Sequence, residues 1–307
     1  MPVLTVRHVT TYRYRQPVAF GEHRMMFRPR EGHDQRILDV QLNIEPRPVS
    51  IRWLHDVFGN SVTLARFTGR AKELRFESIV RLDHRPLHAL DFQIEDHAES
   101  YPFAYSVEDL PDLSRSIERQ YPDPERDLER WARQFLRKDG ATGTLELLSN
   151  MTHAIRRGFT YIARTEKGIQ APTRTLKLAS GTCRDFAVLM IEAVRCLGLA
   201  ARFVSGYIYV PSREGRSHVG GGSTHAWLRV YLPGAGWVEF DPTNGIVGNR
   251  DLIRVAVARD PHHAVPLAGS WIGFPSDCLG MTVEVDVTSE ASEPAGRGDA
   301  AKTLALA

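Results

Sequence analysis

Over the first hundred residues, apolar and polar positions alternate with a period of two. The stretches "LTVRHVTTYRYR", "ILDVQLNIEP", "SVTLARFTG" and "LRFESIVRLD" are rich in β-branched and aromatic residues and are separated by Pro, Gly and Asn. That is the pattern of strands with one buried face. "DVFGNSV" predicts a tight turn between two of them, with Gly59-Asn60 supplying tolerance of positive φ. The region is expected to fold as a β-sandwich-like or barrel-like N-terminal domain. No cluster in it points to catalysis, so its expected role is to support or shape a neighbouring site.

A Pro- and Asp-rich joint, "YPFAYSVEDLPDLSR" and then "YPDPERD", predicts a boundary near residues 100–125. Beyond it the period becomes helical. "DPERDLERWARQFLRK" places Leu128, Trp131, Phe135 and Leu136 on one face, with acids early and bases late, as the helix dipole favours. "GTLELLSNMTHAIRRGFTY" predicts a second helix, and "IARTEKGIQAPTRTLKLASGT" reads as irregular. In "CRDFAVLMIEAVRCLGLA" apolar residues occupy most of the circumference, which predicts a buried helix stopping at Gly198. Strands follow over 201–210, 224–232 and 236–241. A glycine-rich loop, "PSREGRSHVGGGS", separates the first two, and "LPGAG" turns between the last two. The expected organisation is a β-rich domain over 1–120, an α+β core over 121–285 and a polar, disordered tail over 286–307.

The length of 307 residues accommodates two domains. A net charge of +2, with arginines dispersed among acids, gives no case for nucleic acid or an anionic membrane as partner. The N-terminus is polar and aromatic, and no window approaches the roughly 20 apolar residues of a spanning helix. A cytoplasmic protein is therefore expected, its oligomeric state left open. Three cysteines without a CxxC pair make a poor disulfide framework or zinc site. No metal or cofactor is expected.

The same count leaves single thiols free for chemistry. Cys183 stands at a helix start, after the turn Ser180-Gly181-Thr182, where unpaired N–H groups and the dipole favour a thiolate and could hold an oxyanion. Taken alone, a small buried hydrophobe is the stronger reading of such a cysteine. Cys196, near the far end of the same helix, and Cys278, in "PSDCLGM", read as packing and loop residues. His225 heads an otherwise apolar strand, and Asp241 ends the next one before Pro242. An antiparallel hairpin brings these two to the same end, where a carboxylate can fix the imidazole tautomer. Cysteine, histidine and aspartate in that order, each at an element end, shift the balance towards catalysis.

"GTCRDFAVLMIEAVRCLGLAARFVSGY" and "THAWLRVYLPGAGWVEFDPTNG", with their spacing, resemble the transglutaminase-like superfamily, in its bacterial branch with a β-rich N-terminal domain. The resemblance is strong over residues 150–250 and weaker over patterns such as "WLHDVFGNSVTLARF". It implies a papain-like core in which the Cys helix packs on an antiparallel sheet. It also implies Cys183 as nucleophile, His225 as general base and acid, and Asp241 as the residue that orients His225. The implied chemistry is attack on an amide or isopeptide carbonyl, a thioester, and then hydrolysis by water or transamidation by an amine, with no metal. The substrate class is peptide or protein.

Among other residues, Trp227 and Trp237 read as core packing before acyl-group walls, and His218 as a solvated loop residue. His262-His263 lacks the spacing of a metal site. Arg184 and Asp185 read as fixing the helix start. The leading expectation is a cysteine-dependent peptidase or isopeptidase. The alternatives are a protein-glutamine transamidase, a non-catalytic peptide-binding module of the same fold and, ranked last, acyl transfer from a small thioester.

Overall fold

The structure is a computed structural model that describes residues 3–85, 92–162, 168–210, 219 and 221–290. Its first sheet is organised by one long strand, β1 (Val3–Met25), with β2 (Gln35–Glu45), β3 (Ser50–His55), β4 (Ser61–Arg66) and β5 (Arg70–His84) in the order β2-β5-β1-β4-β3. The period-two pattern is the cause: Leu4, Val6, Leu74, Phe76, Val80 and Leu82 alternate inward. Between β3 and β4, Gly59 takes φ +72° as expected. Asn60 does not share that task. Its buried amide receives the Val257 N–H and donates to the Val257 carbonyl, both at 2.8 Å, clipping the turn to a distant strand.

The joint after residue 100 is more ordered than its composition predicts. A two-residue strand, β6 (Ser100–Tyr101), is followed by a short helix, α1 (Leu110–Ile117), which starts at a proline in its first turn. Then come α2 (Asp127–Arg133), β7 (Thr142–Gly143), which pairs with β6, and α3 (Thr144–Gly158). β8 (Thr160–Tyr161), α4 (Pro172–Leu178) and β9 (Ser180–Gly181) lead into α5 (Cys183–Cys196), with β8 and β9 paired in parallel. The stretch read as irregular therefore contains a two-turn helix, again opened by proline.

The core sheet consists of β10 (Ala201–Ile208), β11 (His225–Leu232), β12 (Gly236–Asp241), β13 (Ile246–Val247) and β14 (Leu252–Ala258), antiparallel in the order β13-β12-β11-β10-β14. Among the described residues this adds two strands to the expected three. Every residue of "LIRVAVA" in β14 is buried, so it lacks the alternation that advertises a strand. The face of α5 that carries Phe186, Leu189, Met190 and Ala193 is fully covered, with β10 and β11 on one side and α2, α3 and α4 on the other. An α+β core with a buried, cysteine-led helix on an antiparallel sheet is the predicted architecture.

The expected core boundary at 285 is corrected by strand pairing. β15 (Leu267–Ile272) and β16 (Cys278–Ser289) both pair with β1 and so close the first sheet on its open side. β16 runs antiparallel to β1 from Leu4↔Ser289 to Tyr14↔Cys278. Residues 286–289, expected in the tail, belong to that strand. The tail beyond residue 290 and the glycine-rich loop residues 211–218 lie outside the described residues, His218 among them.

Candidate active site

Cys183 is the first residue of α5, and the turn before it is locked by a capping box. The Thr182 Oγ1 accepts from the Asp185 N–H, and Asp185 Oδ2 accepts from the Thr182 N–H at 2.8 Å and its hydroxyl at 2.9 Å. The other Asp185 oxygen accepts from the Gln170 N–H at 2.8 Å. The carboxylate, itself buried, is thereby directed into the backbone of the turn. Gly181 is required there because a Cβ would stand 2.8 Å from that of Asp185. Asp185 fixes the helix start as expected. Arg184 does not: it is exposed and lines a cavity.

His225 and Asp241 meet through strand register. Leu228 pairs with Phe240 and Leu232 with Gly236, so Asp241 falls one diagonal step from His225 on the same face. The pair is 2.8 Å apart, from His225 Nε2 to Asp241 Oδ2, with His225 only 1% exposed and Asp241 fully buried. Three donors converge on Asp241: His225, the Asn244 amide at 2.8 Å on the same oxygen, and the Thr243 N–H at 2.9 Å on the other. Burial by itself would raise the carboxyl pKa. The facing imidazole, Asn244 and Thr243 overcome it and hold the value below 3.8. An ionised acceptor makes Nε2 the donor.

The opposite ring nitrogen, Nδ1, is buried and makes no conventional hydrogen bond. Burial pushes the His225 pKa down. The Asp241 charge and hydrogen bond, followed by the interaction with Cys183, outweigh burial and raise it to about 10. The structure thus brings together all three residues singled out in the sequence, with the imidazole between carboxylate and thiol. Cys183 is 6% exposed. Cys196 is half-buried and burial pushes its thiol up to about 11, whereas Cys278 is exposed.

Asn244, in "DPTNG", was not singled out in the sequence. Besides donating to Asp241, it exchanges hydrogen bonds with the backbone of Val219, at 2.8 and 3.2 Å. An Asn beside an Asp-Pro turn reads as turn chemistry, and its link to residue 219 is invisible without the fold. Trp227 is fully buried, stacked at 5.9 Å behind His225, and packs with Val204, Ile208 and Leu252. Trp237 lies under the Arg202 guanidinium at 4.2 Å and is absent from the site. Both tryptophans are packing residues.

Beside His225 opens a cavity of about 390 Å³, walled by Ile169, Phe203, Ala264, Val265, Thr224 and Arg184. Tyr121 and His262 also line it. Both Tyr121 and His262 bind Asp260, Tyr121 through its hydroxyl at 3.0 Å. Glu192 and Arg195 of α5 form a buried ion pair at 2.7 Å that braces neighbouring backbone. Glu192 accepts the Gln120 and Tyr121 N–H groups, and Arg195 donates to the carbonyls of Ser116, Ala201 and Arg259. One helix therefore carries Cys183 at its start and, from its last two turns, anchors the segment that brings Tyr121 to the cavity. Among the described residues, no group of three or more His, Cys, Asp or Glu is placed to hold a metal ion. No helix among them is long and apolar enough to cross a membrane.

Comparison with known proteins agrees with this architecture. Residues 4–83 match the bacterial transglutaminase-like N-terminal region, and residues 129–242 match the transglutaminase-like superfamily. An uncharacterized Mycobacterium tuberculosis protein, Rv2569c, is 29% identical over 282 residues, 86% of either chain. An uncharacterized Mycobacterium leprae protein, ML0607, is 36% identical over 108 residues, 34% of this chain and 37% of its own length. In fold, the chain is similar to a solved structure described as a "putative cysteine protease" from Cytophaga hutchinsonii. The TM-score is 0.68 at 21% identity, covering 95% of this chain and 92% of the other. The superfamily match supports a cysteine-dependent enzyme in general.

Proposed function

Since the chain belongs to the transglutaminase-like superfamily, with the bacterial N-terminal region ahead of its core, we propose that it hydrolyses amide bonds as a peptidase or isopeptidase. In this reading Cys183 is the nucleophile, His225 the general acid and base, and Asp241 the residue that orients His225. The observation that carries it is the divided imidazole of His225. Nε2 is committed to a buried carboxylate, and Nδ1 is left on the side of a thiol at a helix start.

The Cys183 thiolate attacks the carbonyl carbon, and the C=O electron pair moves onto oxygen. That oxyanion faces the first turn of α5, whose N–H groups have no carbonyl within the helix to meet. Collapse breaks the C–N bond as the imidazolium of His225 protonates the departing amine. Water, deprotonated by the now neutral imidazole, cleaves the thioester and regenerates the thiolate–imidazolium pair. An amine could replace water. However, Arg184 and the imidazolium of His225 line the cavity, and they repel the ammonium form of a lysine acceptor, which favours hydrolysis. The three free thiols fit action in the reducing cytoplasm.

Two measurements test the reading. Iodoacetamide followed by intact-protein mass spectrometry is expected to modify Cys183 well before Cys196, with exposed Cys278 as the ordinary-thiol reference. A library of peptides and isopeptides is expected to yield cleavage that Cys183→Ala abolishes. The reading fails if another cysteine reacts while Cys183 stays unmodified, or if Cys183→Ala cleaves as well as the wild type.

A further inference from the structure

Arg184 stands in an electrostatically unfavourable place. It is the second residue of α5, where the dipole favours anions and a cation typically costs a few tenths of a kcal/mol. No carboxylate among the described residues pairs with it. The anion of that turn, Asp185, is turned inward onto Thr182 and Gln170. The Arg184 side chain instead lines the cavity beside His225.

The charge of the whole cavity points the same way. Its described lining contains Arg184, His225 and His262, and no Asp or Glu. The two nearby acids are withdrawn behind the histidines, Asp241 beneath His225 and Asp260 beneath His262. Both are buried and engaged. Most of the remaining lining, including Ile169, Phe203, Ala264 and Val265, is apolar, with Tyr121, Ser205 and Thr224 as neutral polar members. The cavity therefore offers a largely apolar chamber that carries the charge of Arg184 and borders His225.

We propose that the substrate is an amide whose acyl portion carries a carboxylate close to the scissile bond, and that Arg184 is the specificity residue that receives it. An apolar group of the same substrate fills the chamber between Phe203 and Ala264. Arg184 offers a planar fork of N–H donors, suited to a two-point contact with a carboxylate. Its position one residue after the nucleophile places that contact beside the reacting carbonyl. This proposal rests on Cys183 being the nucleophile, and its test separates the two claims.

Iodoacetate and iodoacetamide alkylate the same thiolate and differ in carrying a carboxylate or a neutral amide. At one pH the ionised fraction of Cys183 cancels in the ratio of their rates, which leaves the site's preference for an anion. The wild-type ratio at Cys183, referred to the exposed Cys278, is expected to favour iodoacetate and to fall as salt is added. Arg184→Gln should lower the ratio about tenfold, as expected from losing a hydrogen bond to a charged group. Arg184→Lys should restore part of it. An unchanged ratio in Arg184→Gln overturns the proposal while leaving the nucleophile in place. Failure of both reagents to modify wild-type Cys183 overturns the nucleophile itself. Peptide pairs then locate the carboxylate on the acyl side: Glu against Gln as the residue that supplies the cleaved carbonyl for a side chain, and a free against an amidated α-carboxyl of a γ-linked glutamyl residue for a main-chain group. Equal cleavage within both pairs overturns the proposal.

Discussion

Replacing Asp241 by Asn removes one charge from a fully buried site and almost no volume. Three donors converge on two carboxylate oxygens: His225 and Asn244 on one, Thr243 on the other. An amide has one oxygen, so its NH₂ must face at least one of those donors, leaving a buried group unsatisfied at about 1–3 kcal/mol. The imidazolium also loses its counter-charge. The rise of His225 from 6.5 to about 10 corresponds, at 1.36 kcal/mol per unit, to roughly 5 kcal/mol. Removal of one partner of a buried ion pair typically costs ~3–5 kcal/mol. Because Asn keeps one acceptor, a loss of about 3 kcal/mol is expected in urea unfolding.

The pH window follows from the two shifts. His225 is raised in the folded state, so its contribution is complete below about pH 6.5 and is lost as pH rises through about 10. Asp241 is lowered, so its contribution is complete above about pH 4 and is lost as pH falls through its depressed value. The stability gap between wild type and Asp241→Asn is therefore widest from about pH 4 to 6.5 and narrows towards pH 10. In the variant, burial of His225 is opposed only by Cys183, so the basic limb of the cleavage profile should move well down from near pH 10. Cleavage at pH 7 should fall about 10³–10⁴-fold, the size expected when the third member of a triad loses its charge. A variant that keeps its basic limb near pH 10 and cleaves within tenfold of wild type would refute the reasoning.

Three further substitutions separate support from chemistry. Asn244→Ala frees one oxygen of Asp241 and unties Val219. Cleavage should slow by three- to tenfold, about the value of one hydrogen bond to a charged group, and the acid limb should move up because Asn244 helps to hold Asp241 ionised. An unmoved acid limb would assign Asn244 to the loop alone. Gly206→Ala places a Cβ 2.1 Å from the Ile253 carbonyl oxygen and 2.7 Å from the Trp227 ring. Overpacking there should destabilise by about 3 kcal/mol, read from the urea midpoint, and a wild-type midpoint would contradict the described backbone approach. Asn60→Ala leaves the Val257 N–H and carbonyl without partners. A loss of about 3 kcal/mol in stability is expected, with the basic limb of the cleavage profile unshifted. A shifted limb would show that the N-terminal domain acts on the site.

What the sequence determined by itself is what contacts within a few residues determine. The alternation in β1 and β5, the all-round apolar surface of α5, the turn at Gly59 and the hairpin between β11 and β12 follow from backbone period and turn chemistry. The order of Cys183, His225 and Asp241 at element ends was legible for the same reason, since a short hairpin fixes which strand ends meet. Helices α1 and α4 were obscured because Pro and polar residues mark loops and helix starts alike. β14 was obscured because burial on both faces erases alternation.

Only the tertiary structure decided which distant groups satisfy one another. Buried polar atoms must find partners wherever the fold supplies them. Asn60 found the backbone of Val257, Arg195 that of Arg259, and β16 the open edge of β1. The cationic cavity is of the same kind. Its arginine, its histidines and the acids withdrawn behind them come from segments up to 78 positions apart, Arg184 to His262. Sequence spacing carries no record of that balance, because the charge of a cavity is set by which side chains face it and which turn away.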